Sequence, residues 1–335
     1  MGPGLFHYVC ENEHSVTSPD PLTEPDDSFV APIAPIAPAW KRRTWWLVVR
    51  SLRPRQWIKN LLVFMAPAAA GVLGHWATTF RVIAAFFVFC AAASGTYLIN
   101  DVVDAESDRH HPVKRLRPVA SGDLSTNLAL GMGVALIALG IAAALAIGPW
   151  GFGLVVGVYA ALSVAYSLRL KNEPVVELAI VAAGFVLRAV AGGVVADVRL
   201  SNWFLVFTSF AALFVVTGKR YAEHHRLGEY RGSHRQVLDE YSESFLKSTL
   251  TISATVCVAS YCLWAFERTG LLAHPGHHVV WIELTVIPLV LAVLHIFRLL
   301  DAGKGGEPEQ IALHDHTLQT YGVLWLAFMS IGLYA

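Results

Sequence analysis

The sequence predicts an all-α polytopic membrane protein with nine transmembrane helices. Of its 335 residues, 55% are apolar and 15% are Asp, Glu, Lys or Arg, whereas about 25% are charged in soluble domains. The mean hydropathy is +0.51. The apolar residues form runs of about 20 without the alternation of barrel strands, which excludes a soluble fold and a membrane β-barrel.

Residues 1–39 are expected to form a disordered, Pro-rich cytoplasmic tail, because they hold seven of the 16 prolines, six acidic residues and no Lys or Arg. Residues 40–56 combine Trp40, Trp45 and Trp46 with basic residues. This composition is typical of a helix lying on lipid headgroups. A simple basic flank before the first span explains it equally well.

Nine apolar runs follow within residues 57–335, and each is long enough for one helix to cross the hydrocarbon. They cover residues 57–77, 80–100, 126–147, 150–168, 175–197, 202–218, 246–267, 279–299 and 318–335.

The basic residues predict the orientation of these spans. With the N-terminus in the cytoplasm, 21 of the 25 Lys and Arg residues lie on the cytoplasmic side, and only Arg81, Arg199 and Arg268 lie on the other. An odd number of spans then leaves the C-terminus outside. We therefore expect an integral plasma (inner) membrane protein whose polar chemistry faces the cytoplasm.

Asn100, Asp101, Asp104 and Asp108 end the second predicted span. On a continuing helix the three carboxylates fall at i, i+3 and i+7, so they share a face with neighbours about 5–6 Å apart. Oxygen ligands suit Mg²⁺, which typically takes one or two carboxylates together with substrate phosphates. The pattern predicts a Mg²⁺-bound diphosphate at the membrane–cytosol boundary, and a solvated acidic helix end is the alternative.

A basic loop follows these carboxylates directly. Lys114 and Arg117 lie in the run RHHPVKRLRPVASG, where Pro112 and Pro118 end any helix. Cations beside a carboxylate–metal cluster are what a polyphosphate requires. Ordinary positive-inside charge is the alternative explanation.

The pattern N-D-x-x-D-x-x-x-D followed by HPVKRLRPVASG resembles the UbiA superfamily of intramembrane prenyltransferases, over residues 50–335. The run RPRQWIKN at residues 53–60 resembles the phosphoribosyltransferase branch. The resemblance implies a UbiA-like helical bundle with a cytoplasmic-face cavity and a Mg²⁺ cofactor. It also implies transfer of 5-phosphoribosyl from phosphoribosyl diphosphate (PRPP) to a polyprenyl phosphate such as decaprenyl phosphate. The products would be pyrophosphate and polyprenylphosphoryl-5-phosphoribose, a precursor for cell-wall arabinan.

The loop after the sixth span departs from the superfamily pattern. Where ordinary members carry D-x-x-x-D, this chain has Lys219, Arg220 and Glu223 in the sequence GKRYAE. PRPP and a lipid phosphate bring more phosphate groups than one prenyl diphosphate, so cations in place of acids suit the phosphoribosyl branch. The departure also puts a second motif-bound Mg²⁺ in doubt.

Tyr166 and Lys171 at the inner end of span 4 resemble the family's Tyr-Ser…Lys motif, although an interfacial aromatic anchor explains Tyr166 as well. Lys59 suits a phosphate contact or a snorkelling cation equally. The resemblance thus assigns Asp101, Asp104 and Asp108 to catalysis and metal binding. The expected substrate-binding residues are Lys59, Asn100, Lys114, Arg117, Tyr166, Lys171, Lys219, Arg220 and Glu223.

Arg188 lies deep in the fifth predicted span, where a cation is costly and needs a partner. Asp197 and Glu177 are candidate partners, neither at ideal helical spacing. A structural role, in which Arg188 joins helices through backbone carbonyls, is the favoured interpretation.

Two other functions compete with phosphoribosyl transfer. A UbiA-type prenyltransferase acting on an aromatic or haem acceptor would share the fold, but it should keep the second acidic motif. A membrane transporter would suit the many spans, although transport sites usually lie near the middle of the bilayer. Membrane lipids are expected partners and nucleic acid is not. The oligomeric state and the lipid chain length stay open.

Overall fold

The computed structural model describes residues 44–111, 113–227, 236–272, 280–303, 311 and 314–334. These residues form α-helices and short 3-10 helices, and no strand occurs among them. The all-α prediction is confirmed. The predicted tail, residues 1–39, and the start of the predicted interfacial helix lie outside the described residues.

The described residues contain twelve α-helices. In chain order they are α1 Thr44–Ser51, α2 Met65–Ala69, α3 Trp76–Val103, α4 Ala105–Arg109, α5 Thr126–Ile147, α6 Trp150–Leu168, α7 Val176–Val195, α8 Asn202–Leu227, α9 Glu243–Leu272, α10 Val280–Leu284, α11 Val286–Asp301 and α12 His316–Tyr334. The 3-10 helices are Pro54–Phe64, Val72–Gly74, Lys114–Leu116, Leu170–Asn172 and Gln236–Leu238.

Seven stretches of the described chain are long and apolar enough to cross a membrane, two fewer than the nine spans predicted. The first predicted span, residues 57–77, is instead a 3-10 helix followed by short helical pieces, because Pro67, Gly71 and Gly74 interrupt it. The last predicted span, residues 318–335, corresponds to α12. This helix is long enough to cross the membrane, but its first turn is polar. The membrane-protein class is confirmed and the count is too high.

Small residues let the long helices approach closely. A methyl group added at Gly95 of α3 would lie 2.6 Å from the carbonyl oxygen of Gly133 in α5, and one at Gly133 would lie 3.0 Å from the Gly95 carbonyl oxygen. Only glycine fits such a backbone-to-backbone contact, which is a common packing mode of helices in membranes. This contact fixes α3, the helix that carries the carboxylates.

The 3-10 helix Pro54–Phe64 packs against α7 in the same manner. A Cβ atom at Gly192 would lie 1.8 Å from the carbonyl oxygen of Val63. On its other side, Trp57 Nε1 donates to Ser94 Oγ of α3 at 3.1 Å. The segment is therefore held between α3 and α7, and its first residues reach the end of α3 that bears Asp101.

A hydrophobic cluster supports the bundle at that same end. It joins α7, α8, α9, α11 and the 3-10 helix Gln236–Leu238 through Leu178, Tyr221, Leu238, Leu246 and Leu300, all of which are buried. Residues on these elements therefore keep fixed positions relative to one another.

Candidate functional site

Asp101, Asp104 and Asp108, together called the carboxylate cluster, lie where α3 passes into α4. Helical hydrogen bonds continue through the break, since Asp104 N–H donates to the Asn100 carbonyl at 2.9 Å and Asp108 N–H donates to the Asp104 carbonyl at 2.8 Å. The predicted helical path through the three carboxylates is therefore present. Asp101 and Asp108 are buried, and the side chain of Asp104 is 20% exposed.

Two arginines bind the buried members of the carboxylate cluster. Arg117 Nη1 lies 2.5 Å from Asp108 Oδ2 and 3.2 Å from Asp101 Oδ1. Arg53 also donates to Asp101 Oδ1, and its guanidinium lies 5.2 Å from the ring centre of Tyr97. Because one arginine bridges Asp101 and Asp108, these two carboxylates face the same side, as the spacing predicts.

Asp104 has different partners. Its Oδ2 accepts a hydrogen bond from Asn100 Nδ2 at 3.0 Å, and its Oδ1 accepts one from Lys171 Nζ. Lys171 comes from the 3-10 helix Leu170–Asn172 that follows α6. The structure thus brings Asn100, Arg117 and Lys171 together with the carboxylate cluster.

The carboxylate cluster has the right type of ligand atom for Mg²⁺, because it offers hard carboxylate oxygens and no thiolate. In the part of the chain that is described, no three His, Cys, Asp or Glu side chains are gathered tightly enough to hold a metal ion. The oxygens that would bind Mg²⁺ are instead bonded to Arg53, Arg117 and Lys171. The three-carboxylate metal site therefore stays a prediction.

The remaining predicted substrate-binding residues lie on neighbouring elements. Lys59 is half-buried in the 3-10 helix Pro54–Phe64, and Lys114 is half-buried in the basic loop. Tyr166 lies in the last turn of α6, and Lys219 is half-buried near the end of α8. Their phosphate contacts stay predictions.

Arg220 is bound within the protein. Its Nε and Nη2 donate to the two oxygens of Glu177 at 2.7 and 2.8 Å, and its Nη1 donates to Glu223 Oε2 at 2.8 Å. The Glu177 side chain is 0% exposed and that of Arg220 is 6% exposed. This arrangement joins α7 to α8. Arg220 and Glu223 were predicted as substrate-binding residues, and here both bind other protein side chains. Their substrate contacts stay predictions.

A strained turn holds Glu177 in place. Val175 has φ 65° and ψ −46°, and Val176 N–H donates to the Pro174 carbonyl at 2.7 Å, which together form a positive-φ γ-turn. Val175 N–H donates to the Tyr241 hydroxyl at 2.8 Å. Burial raises the pKa of Tyr241, so the phenol stays protonated at neutral pH.

Arg188 joins three segments in the interior of the bundle. Its Nε donates to Asn60 Oδ1 at 2.7 Å, its Nη2 donates to the Tyr159 hydroxyl at 2.9 Å, and its Nη1 donates to the Gly184 carbonyl at 2.5 Å. The guanidinium also lies 4.6 Å from the Tyr159 ring centre. The Gly184 carbonyl belongs to α7 itself, so the side chains of Asn60 and Tyr159, and not backbone carbonyls as favoured from the sequence, join Arg188 to other segments.

Neither Asp197 nor Glu177, the two carboxylates considered as partners from the sequence, pairs with Arg188 among the described residues. Glu177 binds Arg220 instead. Asn60, which closes the run RPRQWIKN, takes the place of a carboxylate and is fully buried. This motif residue therefore connects the first segment to α7.

Two residues of the site were missed by sequence reasoning. Arg53 opens the motif RPRQWIKN, and its adoption of a left-handed conformation, with φ 52°, turns the chain between α1 and the 3-10 helix. The motif itself was a signal for Arg53. Tyr241 carried no comparable signal, because it reaches Val175 across 66 residues.

The fold and this site define a polytopic membrane protein with a basic-lined carboxylate cluster at one end of its bundle. Residues 61–331 match the UbiA prenyltransferase family. The chain therefore belongs to that family.

Individual relatives are more specific. The chain is 42% identical to decaprenyl-phosphate phosphoribosyltransferase of Corynebacterium glutamicum, over 86% of each chain. It is 43% identical to the protein of the same name from Mycobacterium tuberculosis, over 84% of this chain and 92% of that one. A UbiA homolog from Archaeoglobus fulgidus, solved with GPP and Mg²⁺, has a TM-score of 0.61 at 18% identity, covering 85% of this chain and 98% of that chain. The same homolog was also solved with Cd²⁺.

Proposed function

We propose that this chain transfers 5-phosphoribosyl from PRPP to a polyprenyl phosphate, with decaprenyl phosphate as the expected acceptor. The main support is its identity of 42–43%, over most of its length, to proteins named decaprenyl-phosphate phosphoribosyltransferase. The site supports it independently. A membrane-embedded transferase that handles three phosphate-bearing groups needs several cations beside its carboxylates, and Arg53, Arg117 and Lys171 meet that need.

In the proposed reaction the bond between ribose C1 and the diphosphate breaks, and pyrophosphate leaves with the bonding electrons. An oxygen of the lipid phosphate forms the new bond to C1. In-line attack inverts the α-configured donor to a β-product, through an oxocarbenium-like transition state. The attacking phosphate is already ionised at neutral pH, so this step requires no general base.

The chain's own residues serve this reaction by matching charge. Arg53, Arg117 and Lys171 exchange a carboxylate partner for phosphate oxygens when the donor enters, and Lys114 and Lys219 complete the proposed phosphate contacts. Charge-assisted hydrogen bonds of this kind are about twice as strong as neutral ones. Asn100 orients Asp104 through the bond between Asn100 Nδ2 and Asp104 Oδ2.

Asp101, Asp104 and Asp108 are the residues that would hold Mg²⁺. The ion, when bound, supplies positive charge that stabilises the departing pyrophosphate. The carboxylate cluster provides the negative charge that makes Mg²⁺ binding favourable beside so many cations.

The proposed site faces the cytoplasm. The support is the distribution of basic residues, since 21 of 25 fall on the side that carries the carboxylate cluster. PRPP is water-soluble and reaches the site from the cytosol, whereas the polyprenyl tail stays among the lipid-facing helices. A product of this kind would serve as a precursor for cell-wall arabinan.

The sequence GKRYAE at residues 218–223 argues against prenyl transfer to an aromatic or haem acceptor. Two acidic motifs would clamp a prenyl diphosphate, but here the second motif has Lys219 and Arg220. Arg220 pairs with Glu177, so a further carboxylate is already committed to the protein interior.

Incubation of the purified protein with radiolabelled PRPP and polyprenyl phosphates of several lengths tests the proposal. We expect label to enter the lipid fraction and pyrophosphate to be released in equal amount. EDTA should abolish both, and added Mg²⁺ should restore them. Prenyl diphosphate with an aromatic acceptor should give no product. Lipid labelling that persists in EDTA would contradict the Mg²⁺ assignment, and no labelling with any polyprenyl phosphate would contradict the function.

A further inference from the structure

A cavity lined by both polar and apolar residues lies at the end of α7 that is remote from the carboxylate cluster. Its volume is about 90 Å³. Helix α7 begins beside the candidate site at Val176, and the segment Val198–Ser201 that follows α7 lines this cavity. The 20 residues of α7 extend about 30 Å at 1.5 Å per residue, so the cavity is a separate site.

The wall of the cavity is divided into an apolar part and a basic part. Alanines of α2 and the rings of Phe204 and Trp264 form the apolar part. Arg199 and Arg268 line the basic part. A ligand that fits this wall has an anionic group joined to an apolar one.

Arg268 is held at the wall of this cavity by one hydrogen bond. Its Nη2 donates to the Ala70 carbonyl at 2.7 Å, whereas its Nε is buried and has no hydrogen-bond partner among the described residues. Arg268 forms no ion pair within the described chain, so its charge is available to an anion in the cavity.

The charge of the cavity is positive. The sequence places only three basic residues on this side of the membrane, and two of them, Arg199 and Arg268, line one cavity. Glu267 also lines it, but no ion pair joins Glu267 to either arginine in the described part of the chain. The N-terminus of α8, where Ser201 Oγ accepts from Phe204 N–H at 3.2 Å, adds a favourable dipole for an anion.

The size of the cavity limits the ligand. One water molecule needs about 10–15 Å³ on this scale, so a cavity of about 90 Å³ accommodates a group of several atoms. Guanidinium groups match phosphate oxygens in geometry and in charge. We propose that this cavity binds the phosphate group of an anionic amphiphile, with the aromatic wall contacting the first atoms of its tail.

Thermal unfolding of the full-length protein in a neutral detergent tests this site without reference to enzymatic activity. Phosphatidylglycerol should raise the Tm of the protein by a few degrees, and zwitterionic phosphatidylcholine should raise it less. A double variant, Arg199→Gln with Arg268→Gln, should need at least about ten-fold more phosphatidylglycerol for the same shift, the loss expected for a charge-assisted hydrogen bond. Arg81→Gln is the matched control, because Arg81 is exposed on the same side and does not line the cavity.

An arm with inorganic phosphate distinguishes the two sources of the anion. A shift with phosphate alone that the double variant loses would identify a free-phosphate site, and a shift with lipid only would identify a headgroup site. The headgroup result supports the proposal, and a shift with inorganic phosphate but none with lipid would overturn it. Equal shifts with the two lipids, or equal lipid titrations of the wild type and the double variant, would overturn it. Should the double variant fail to fold, Arg199→Gln alone decides the question, because Arg199 is exposed.

Discussion

Two groups of ion pairs lie at the same end of the bundle, and they differ in burial. The basic partners of the carboxylate cluster, Arg53, Arg117 and Lys171, have side chains that are 25%, 27% and 22% exposed. In the Glu177/Arg220 pair the two side chains are 0% and 6% exposed. The cations around the carboxylate cluster therefore reach solvent, whereas the Glu177/Arg220 pair is almost completely buried.

This difference separates charges that can change partners from charges that cannot. A partly exposed cation can leave a carboxylate for a phosphate, since water and the incoming anion compensate both charges. A buried pair that loses one partner leaves an uncompensated charge in a low-dielectric interior. We therefore expect changes in the carboxylate cluster to alter catalysis, and changes in the Glu177/Arg220 pair to alter stability.

The largest expected effect is on turnover in Asp104→Asn. The substitution keeps the shape of the side chain but removes the charge that Lys171 binds and that Mg²⁺ would require. We expect kcat to fall about 10²–10³-fold, as when one electrostatic stabiliser of a transition state is removed. The measurement is transfer of labelled phosphoribosyl to polyprenyl phosphate, together with the Tm, which should change little.

Glu106→Gln is the control for this variant. Glu106 is exposed, belongs to the same acidic run and pairs only with Arg109, at 2.7 Å, among the described residues. Its turnover should match the wild type. A Glu106→Gln variant as impaired as Asp104→Asn would mean that total acidity, not the specific carboxylates, governs activity.

The second effect is a loss of stability in Glu177→Gln. A neutral side chain leaves the buried Arg220 with Glu223 as its remaining anionic partner. Breaking a buried pair in this way should lower the free energy of unfolding by about 3 kcal/mol. The apparent affinity for PRPP should be unchanged in the folded fraction.

Unfolding in a neutral detergent measures this change, and Glu173→Gln is its matched control. Glu173 is exposed and lies four residues earlier, before α7 begins, so its substitution should change stability by less than about 0.5 kcal/mol. Equal melting of the two variants would show that the buried pair contributes no net stability.

The smallest expected effect concerns donor binding by Arg53. Arg53→Gln should raise the KM for PRPP about ten-fold, the loss expected for one charge-assisted contact, and should change the KM for the lipid much less. Arg55→Gln, two residues along in the same motif, is exposed and should behave as the wild type. Equal increases in both KM values would contradict a donor-phosphate role for Arg53.

Much of the architecture followed from simple patterns, because a helix that crosses a bilayer needs about 20 apolar residues whatever its partners are. The limit of this rule is the run at 57–77. Its hydropathy resembles a span, but Pro67 and two glycines prevent one regular helix, and Gly192 lets a 3-10 backbone pack against α7 instead. Such a contact depends on two segments far apart in sequence.

The candidate site shows the same division between local and distant contacts. The bridge from Arg117 to Asp101 and Asp108 spans only 16 and 9 residues, and all three residues were singled out from the sequence, but as phosphate and metal ligands and not as an ion pair. The contacts of Arg53 with Asp101 and of Lys171 with Asp104 span 48 and 67 residues. They depend on how helices assemble, and no periodicity in the sequence encodes that assembly.

The Arg188 guanidinium has a consequence beyond its role as a joint between helices. Its hydrogen-bond partners are an amide, a phenol and a peptide carbonyl, so its full positive charge is neutralised by no carboxylate within the described chain. Glu177 and Arg188 are eleven residues apart on α7, or about 16 Å along the axis. At an effective dielectric constant of about 20, a unit charge at that distance attracts each negative charge by roughly 1 kcal/mol. Arg188 thus adds a modest long-range attraction for anions near the Glu177 end of α7, without touching them.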